Sequence, residues 1–179
     1  MNLVQNENKG IQILYRNALS GSIVNSDLLF RSIKADFDGA TETLNKIIID
    51  ELRSKDRDLH MYVLQSMSYV ELKIVSLEDQ MKTLTMHTRA YVESTKDEDC
   101  DVLIDTLAKL REELSLLDSD ITNASNTIED CIDEFKSSKA RIILTETAPL
   151  LSTLAMHVTQ LYIVILTTEG SANQCKMIY

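Results

Sequence analysis

The feature that most constrains this chain is an apolar heptad pattern between residues 103 and 142. Alternating steps of three and four residues place such side chains on one side of a helix, and a pattern sustained over several heptads is typical of helices that pair along their length. We therefore predict one long helix from about residue 97 to about residue 145. Its two seam positions are Leu107, Leu114, Ile121, Ile128, Phe135 and Ile142, and Leu103, Leu110, Leu117, Ala124, Cys131 and Ser138.

The start of this helix is marked by a capping box. Thr95 is followed three residues later by Glu98, an arrangement in which the two side chains satisfy free backbone N–H groups. Asp97, Asp99 and Asp101 add negative charge where the helix dipole is positive. These acids also resemble the start of a calcium-binding loop. Because the loop's glycine and its final glutamate are missing, we interpret them as helix capping.

A second apolar stripe precedes the first and has the same heptad spacing. A short polar turn near Ser94 joins the two, so they predict an antiparallel coiled-coil hairpin. The second stripe consists of His60, Val63, Met67, Val70, Ile74, Leu77, Met81, Leu84, Thr88 and Tyr91.

An earlier stripe starts after the capping residues Asn25 and Ser26. Between it and the second stripe the helical register slips, within the polar residues 53–58. Because this stretch lacks Gly and Pro, the sequence leaves open whether residues 25–93 form one helix that changes partners or two helices. The earlier stripe consists of Phe30, Ile33, Phe37, Ala40, Leu44 and Ile47.

Composition excludes the main alternatives to a helical fold. Four Gly, one Pro and no Trp provide few turns for an all-β fold and no Gly-rich loop for a dinucleotide-binding fold. We predict an all-α, elongated helical bundle of three to four main helices built on the hairpin. We expect a loosely ordered leader with a short helix over 1–24, a single bundle domain over 25–168 and a polar tail over 169–179.

The segment 147–168 contains no Asp, Glu, Lys or Arg and is long enough to cross a bilayer. One of its sides is apolar and the other carries Thr, His and Gln, which favours a core helix with Pro149 in its first turn and Gly170 just past its end. The alternative is a membrane segment formed by Leu151, Leu154, Val158, Leu161, Ile163, Val164, Ile165 and Leu166.

No residue pattern indicates catalysis, a cofactor or a metal site. The three histidines lie in different segments without a second ligand at helical spacing, and the phosphate-binding glycine motifs are absent. His60 lies on a seam, where it could set register or respond to pH, but a partly exposed position is the more common outcome. Cys131 is expected to be a core residue, and Cys175 a thiol in the polar tail that is merely reactive.

The net charge of the chain argues against one class of partner. The net charge is −10, and residues 96–136 contain thirteen Asp or Glu against four Lys or Arg, so we expect no nucleic acid partner.

We predict a noncatalytic structural or protein–protein interaction module that self-associates or binds a partner helix. Its alternatives are a membrane-active, pore-former-like protein and a ligand-sensing four-helix bundle. No signal peptide is visible, which favours the cytoplasm or export without a conventional signal.

Overall fold

The computed structural model is an all-α bundle in which four helices pack against one another, and this confirms the predicted fold class. It describes residues 3–94 and 96–177, with only the backbone described at 3–9, 12 and 177. No strand occurs within these ranges. The helices are α1 (Leu3–Leu44), α2 (Ser54–Ser94), α3 (Asp97–Ile132) and α4 (Ser138–Met177), with a short 3-10 turn at Ile49–Glu51.

The chain divides into two compact units. Unit 1 comprises residues 1–29, 77–114 and 160–179, and unit 2 comprises residues 30–76 and 115–159. Parts of all four helices contribute to the core of each unit. In unit 1 the core includes Leu19, Leu84, Leu107 and Leu161, and in unit 2 it includes Ile33, Val70, Ile121 and Leu154. Burial of each such side chain stabilises the fold by about 1.5–3 kcal/mol, which explains why the apolar stripes determine the helices.

Helix α1 is longer than predicted. The residues expected to form a loose leader belong to it from Leu3 onwards, so the predicted boundary at residue 24 lies inside a helix. Residues 1 and 2 are outside the described part of the chain. Gly10 and Gly21 lie within α1, since a single glycine lowers helix stability by only about 1 kcal/mol. Burial of Leu19 extends the apolar stripe towards the N-terminus.

The chain reverses between α1 and α2, so residues 25–93 belong to two helices. The connection at 45–53 has no Gly or Pro and instead contains the 3-10 turn Ile49–Glu51. The side chains of Ile47 and Leu52 are buried on either side of this turn. Apolar burial at both ends of the connection therefore takes the place of the usual turn residues.

The prediction of one helix from 97 to 145 is wrong. Helix α3 ends at Ile132 and α4 starts at Ser138. Phe135 lies in the connection and is buried, but Ser138 and Ile142, which the heptad pattern assigns to the seam, are exposed. The apolar spacing thus continues by coincidence across a break in the helix.

Asp56 explains why the chain breaks there. This carboxylate lies in the first turn of α2, is only 1% exposed, and accepts hydrogen bonds from the backbone N–H groups of Lys136 and Ser137, both at 3.0 Å. The hydroxyl of Ser137 in turn accepts a bond from the N–H of Ala140 at 3.2 Å and caps α4. Hydrogen bonds to an ionised group are worth about 1.5–3 kcal/mol each, so Asp56 holds the α3–α4 connection against the start of α2.

Helix α4 also differs from the prediction at both ends. Pro149 lies well inside the helix instead of in its first turn, and Gly170 lies inside it instead of past its end. The expected polar tail continues the helix to Met177, because Ala172 and Cys175 are fully buried. The buried side of α4 therefore extends beyond the predicted boundary at residue 168.

A charge in the core should unfold the protein. Leu114 is fully buried in α3, and we expect Leu114→Asp to lower the free energy of unfolding by about 3–5 kcal/mol because the carboxylate is left without a partner. Thermal and urea unfolding followed by circular dichroism measure the loss. Leu116→Asp is the matched control, since Leu116 is 49% exposed on the same helix. Similar losses in the two variants would contradict the assigned core.

Candidate interaction site

The predicted seam residues form the core of the chain itself. Those on α2 and α3, together with Phe135 in the connection, are at most 6% exposed, and each is covered by other helices of the same chain. A contact with another macromolecule must therefore use other side chains. The buried seam residues are Val63, Met67, Val70, Ile74, Leu77, Met81, Leu84, Leu103, Leu107, Leu110, Leu114, Leu117, Ile121, Ile128 and Phe135.

The opposite side of α2 carries a second apolar stripe, which we call the α2 outer stripe. Its five members are each more than half exposed. From Tyr62 onwards they recur at steps of seven, three and three residues, and Met61 adjoins Tyr62, so they lie along one side of the helix within unit 2. Apolar side chains grouped in this way mark contact surfaces more often than scattered ones do. The α2 outer stripe consists of Met61, Tyr62, Tyr69, Leu72 and Val75.

The α2 outer stripe is not among the predicted contact surfaces, although the sequence contains a signal for it. Residues 62, 69, 72 and 75 repeat at steps of seven and three residues on the side of the helix away from the seam. A helix that is apolar on two sides needs two neighbours or one neighbour and a partner. The serine and glutamine between these residues hide the repeat in the sequence.

The residues of the predicted membrane segment divide between the two sides of α4. Five are fully buried, Val164 is half-buried, and Ile163 and Leu166 are exposed. The apolar stripe expected from the sequence is thus a core stripe in this structure. The buried members are Leu151, Leu154, Val158, Leu161 and Ile165.

The exposed side of the same helix is unusual because it lacks charge between residues 149 and 167. We call it the α4 outer face. Ser138–Lys176 is also the one helical stretch in the described chain that is long and apolar enough to cross a membrane, and 28% of its most apolar window is buried. The α4 outer face consists of Pro149, Ser152, Thr153, Met156, Thr159, Gln160, Ile163, Leu166 and Thr167.

The histidines lie in separate environments. His87 Nδ1 is 2.8 Å from Thr106 Oγ1, and His157 Nδ1 is 2.5 Å from the carboxylate of Asp36, where the two side chains form a half-buried ion pair when the histidine is protonated. His60 is buried instead of partly exposed, and its Nδ1 has no hydrogen-bond partner. Burial lowers the pKa of His60, because the charged form loses its hydration.

Burial of His60 should make stability depend on pH. Its pKa is lower in the folded than in the unfolded chain, so the contribution of His60 is complete above the ordinary value of about 6.5 and is lost as the pH falls below it. We expect the free energy of unfolding of His60→Met to fall less than that of the wild type between pH 7.5 and pH 5.5. Urea unfolding at both pH values measures the difference. Identical losses would show that His60 is not buried in its neutral form.

Two cysteines are buried near Tyr91 in unit 1. Cys100 and Cys175 are fully buried, and the Cys100 thiol donates to the backbone carbonyl of Ala172 at 3.5 Å. Burial raises the pKa of each thiol and of the Tyr91 hydroxyl. Cys175 is therefore a core residue, and the expectation of a reactive thiol in a polar tail is wrong. Cys131 is buried as predicted, and burial raises its pKa too.

The acidic residues at the start of α3 lie in or next to its first turn, and two of them bond to other side chains. The helix starts at Asp97, Asp99 accepts a bond from the Ser94 hydroxyl, and Asp101 pairs with Lys176. Thr95, the other half of the predicted capping box, lies outside the described residues. No group of three or more His, Cys, Asp or Glu side chains is placed to hold a metal ion in the described part of the chain.

Comparison of the chain with protein-family models, with curated proteins and with solved structures finds no match.

Proposed function

We propose that this protein is a noncatalytic interaction module that binds another protein through the α2 outer stripe. The supporting observation is the exposure of five large side chains on the side of α2 that faces away from the core. An amphipathic partner helix with anchors at matching three- and seven-residue steps fits such a surface. Met61, Leu72 and Val75 would supply the apolar contact, while the hydroxyls of Tyr62 and Tyr69 stay solvated at its border.

Charge favours a different protein over a second copy of this chain. Two chains that each carry a net charge of −10 repel one another as they approach, whereas a neutral or basic partner does not meet this barrier. The seams do not need a second copy either, because their side chains are already buried. Self-association is therefore the less favoured form of the same proposal.

The titratable groups support a noncatalytic role. Catalytic cysteines need a lowered thiol pKa, and burial raises the pKa of all three thiols here. His87 bonds to Thr106 and His157 bonds to Asp36, while Nδ1 of the buried His60 has no partner. None of these histidines is hydrogen-bonded to a cysteine thiol among the described residues. A general base next to an activated nucleophile is thus missing from the described residues.

A charge on the stripe should abolish partner binding without unfolding the chain. We expect Leu72→Lys to reduce specific capture of a partner from a lysate of the source cells by at least about tenfold, because a lysine would have to be buried in an apolar contact. Quantitative mass spectrometry of the captured proteins measures the change. Leu116→Lys is the matched control on an exposed site of α3.

Equal melting temperatures of the wild type and the two variants confirm that folding is unaffected. Capture of the same proteins by the wild type and by Leu72→Lys would contradict the stripe as the binding surface. The stripe would also be contradicted if every protein that the wild type captures were captured by Leu72→Lys as well. If light scattering shows that the wild type forms oligomers and that Leu72→Lys does not, the partner is a second copy of this chain.

A specific observation on α4 favours membrane association as a second candidate function. Four hydroxyls on the α4 outer face donate to backbone carbonyls one turn earlier, at 2.9–3.3 Å. Such internal bonds lower the cost of placing Ser and Thr in lipid. The four hydroxyls belong to Ser152, Thr153, Thr159 and Thr167.

Flotation with phosphatidylcholine vesicles separates this candidate from the first. Membrane association predicts that the wild type floats with the vesicles and that Ile163→Lys stays in solution, because Ile163 is exposed on the α4 outer face. The Leu116→Lys control should float like the wild type. Absence of the wild type from the vesicle fraction at pH 7 and at pH 5 would remove this candidate.

A further inference from the structure

A groove in unit 2 lies between α2 and α3, with a volume of about 430 Å³. Two tyrosines lie on its α2 wall, and two carboxylates lie on its α3 wall with asparagines and a threonine between them. Since α2 and α3 are joined by a link of only two residues, they run in opposite directions and the order of residues reverses across the groove. Tyr69 thus lies towards Asp120, and Tyr62 lies towards Asp130.

The two carboxylates are not used by the fold. Neither Asp120 nor Asp130 has a hydrogen bond or an ion pair with another described residue, and both are accessible to solvent. Residues 115–132 of α3 contain four acidic residues and no Lys or Arg, so the α3 wall of the groove has a net negative charge. The wall of the groove therefore keeps a negative potential that attracts a cation from outside.

Tyrosine rings and carboxylates on facing walls suit one type of side chain. A guanidinium group stacks on an aromatic ring through its flat face and donates paired N–H bonds to a carboxylate through its edge. Tyr62 and Tyr69 are seven residues apart, which places their rings about 10.5 Å apart along the helix axis. The groove can therefore receive two arginines of one extended or helical segment.

We propose that this groove binds arginine side chains of a basic segment in a partner protein. The proposal rests on the interaction function proposed above and defines the chemistry of the partner, because Tyr62 and Tyr69 belong both to the α2 outer stripe and to the groove. The net charge of −10 agrees with a basic partner. Apolar anchors would contact Met61 and Leu72 while arginines enter the groove beside them.

Fluorescence anisotropy with a short fluorescein-labelled peptide of alternating Arg and Ala tests the groove on the full chain. We expect the double variant Asp120→Asn/Asp130→Asn to bind the peptide about tenfold more weakly, because both carboxylates lose their charge. Asp118→Asn/Glu129→Gln is the matched control: it removes two charges from the same helix at positions that do not line the groove. This control should bind within about twofold of the wild type.

A second pair of variants tests the aromatic wall. Tyr69→Leu removes the ring and should weaken binding about three- to tenfold, whereas Tyr69→Phe keeps the ring and should bind like the wild type. Tyr69 is half exposed, so neither change should unfold the chain, and circular dichroism checks this. A loss in Tyr69→Phe equal to that in Tyr69→Leu would overturn the ring contact.

Equal weakening in the two double variants, or no binding to the wild type, would overturn the groove as the arginine site. These outcomes are distinguishable from a failure of the proposed function, which is measured by partner capture with Leu72→Lys. If the peptide binds and the binding depends on Asp120 and Asp130, the groove is supported as an arginine site. This holds even if Leu72→Lys captures the same proteins as the wild type, which contradicts only the α2 outer stripe as the binding surface. Tighter binding of a matched Lys–Ala peptide would contradict recognition of the planar guanidinium.

Discussion

The fold depends on the mutual burial of apolar stripes that four helices of one chain present to each other. Helices of 36 to 42 residues with heptad stripes cannot remain stable alone in water, because each stripe exposes a continuous apolar surface. In both units this surface is removed by the chain's own helices, from Leu84 and Leu107 in unit 1 to Val70 and Ile121 in unit 2. Because one chain supplies all the helices that cover the core, the outer sides of these helices are free to make other contacts.

A polar contact, in contrast, holds the connection between α3 and α4. The carboxylate of Asp56 accepts hydrogen bonds from two backbone N–H groups that lie 80 and 81 residues further along the chain. Neither Gly nor Pro marks this connection in the sequence. The same is true of residues 45–53, where Ile47 and Leu52 hold the turn by burial.

Apolar spacing was sufficient to predict the fold class and nearly every core residue of α2 and α3. It marked a register slip at residues 53–58 but left open whether the helix breaks there, and in the structure the connection lies at residues 45–53. It failed at Ile142, because a heptad pattern cannot show whether the backbone between two apolar residues is helical. It placed His60 on the seam, but it did not indicate that Asp56 and Cys175 are buried, because their burial depends on neighbours that are distant in sequence. The outer surfaces were the least predictable part, since exposure of Tyr69 or Leu72 is known only once the other helices are in place.

The central claim is that one chain completes its own core and uses its outer surface for contacts. The dependence of the melting temperature on protein concentration tests this most directly, because association that is required for folding raises the melting temperature by mass action. The account predicts one cooperative transition whose midpoint is constant over at least about a hundredfold range of concentration. A midpoint that rises steadily with concentration would contradict it, since the seams would then need a second chain.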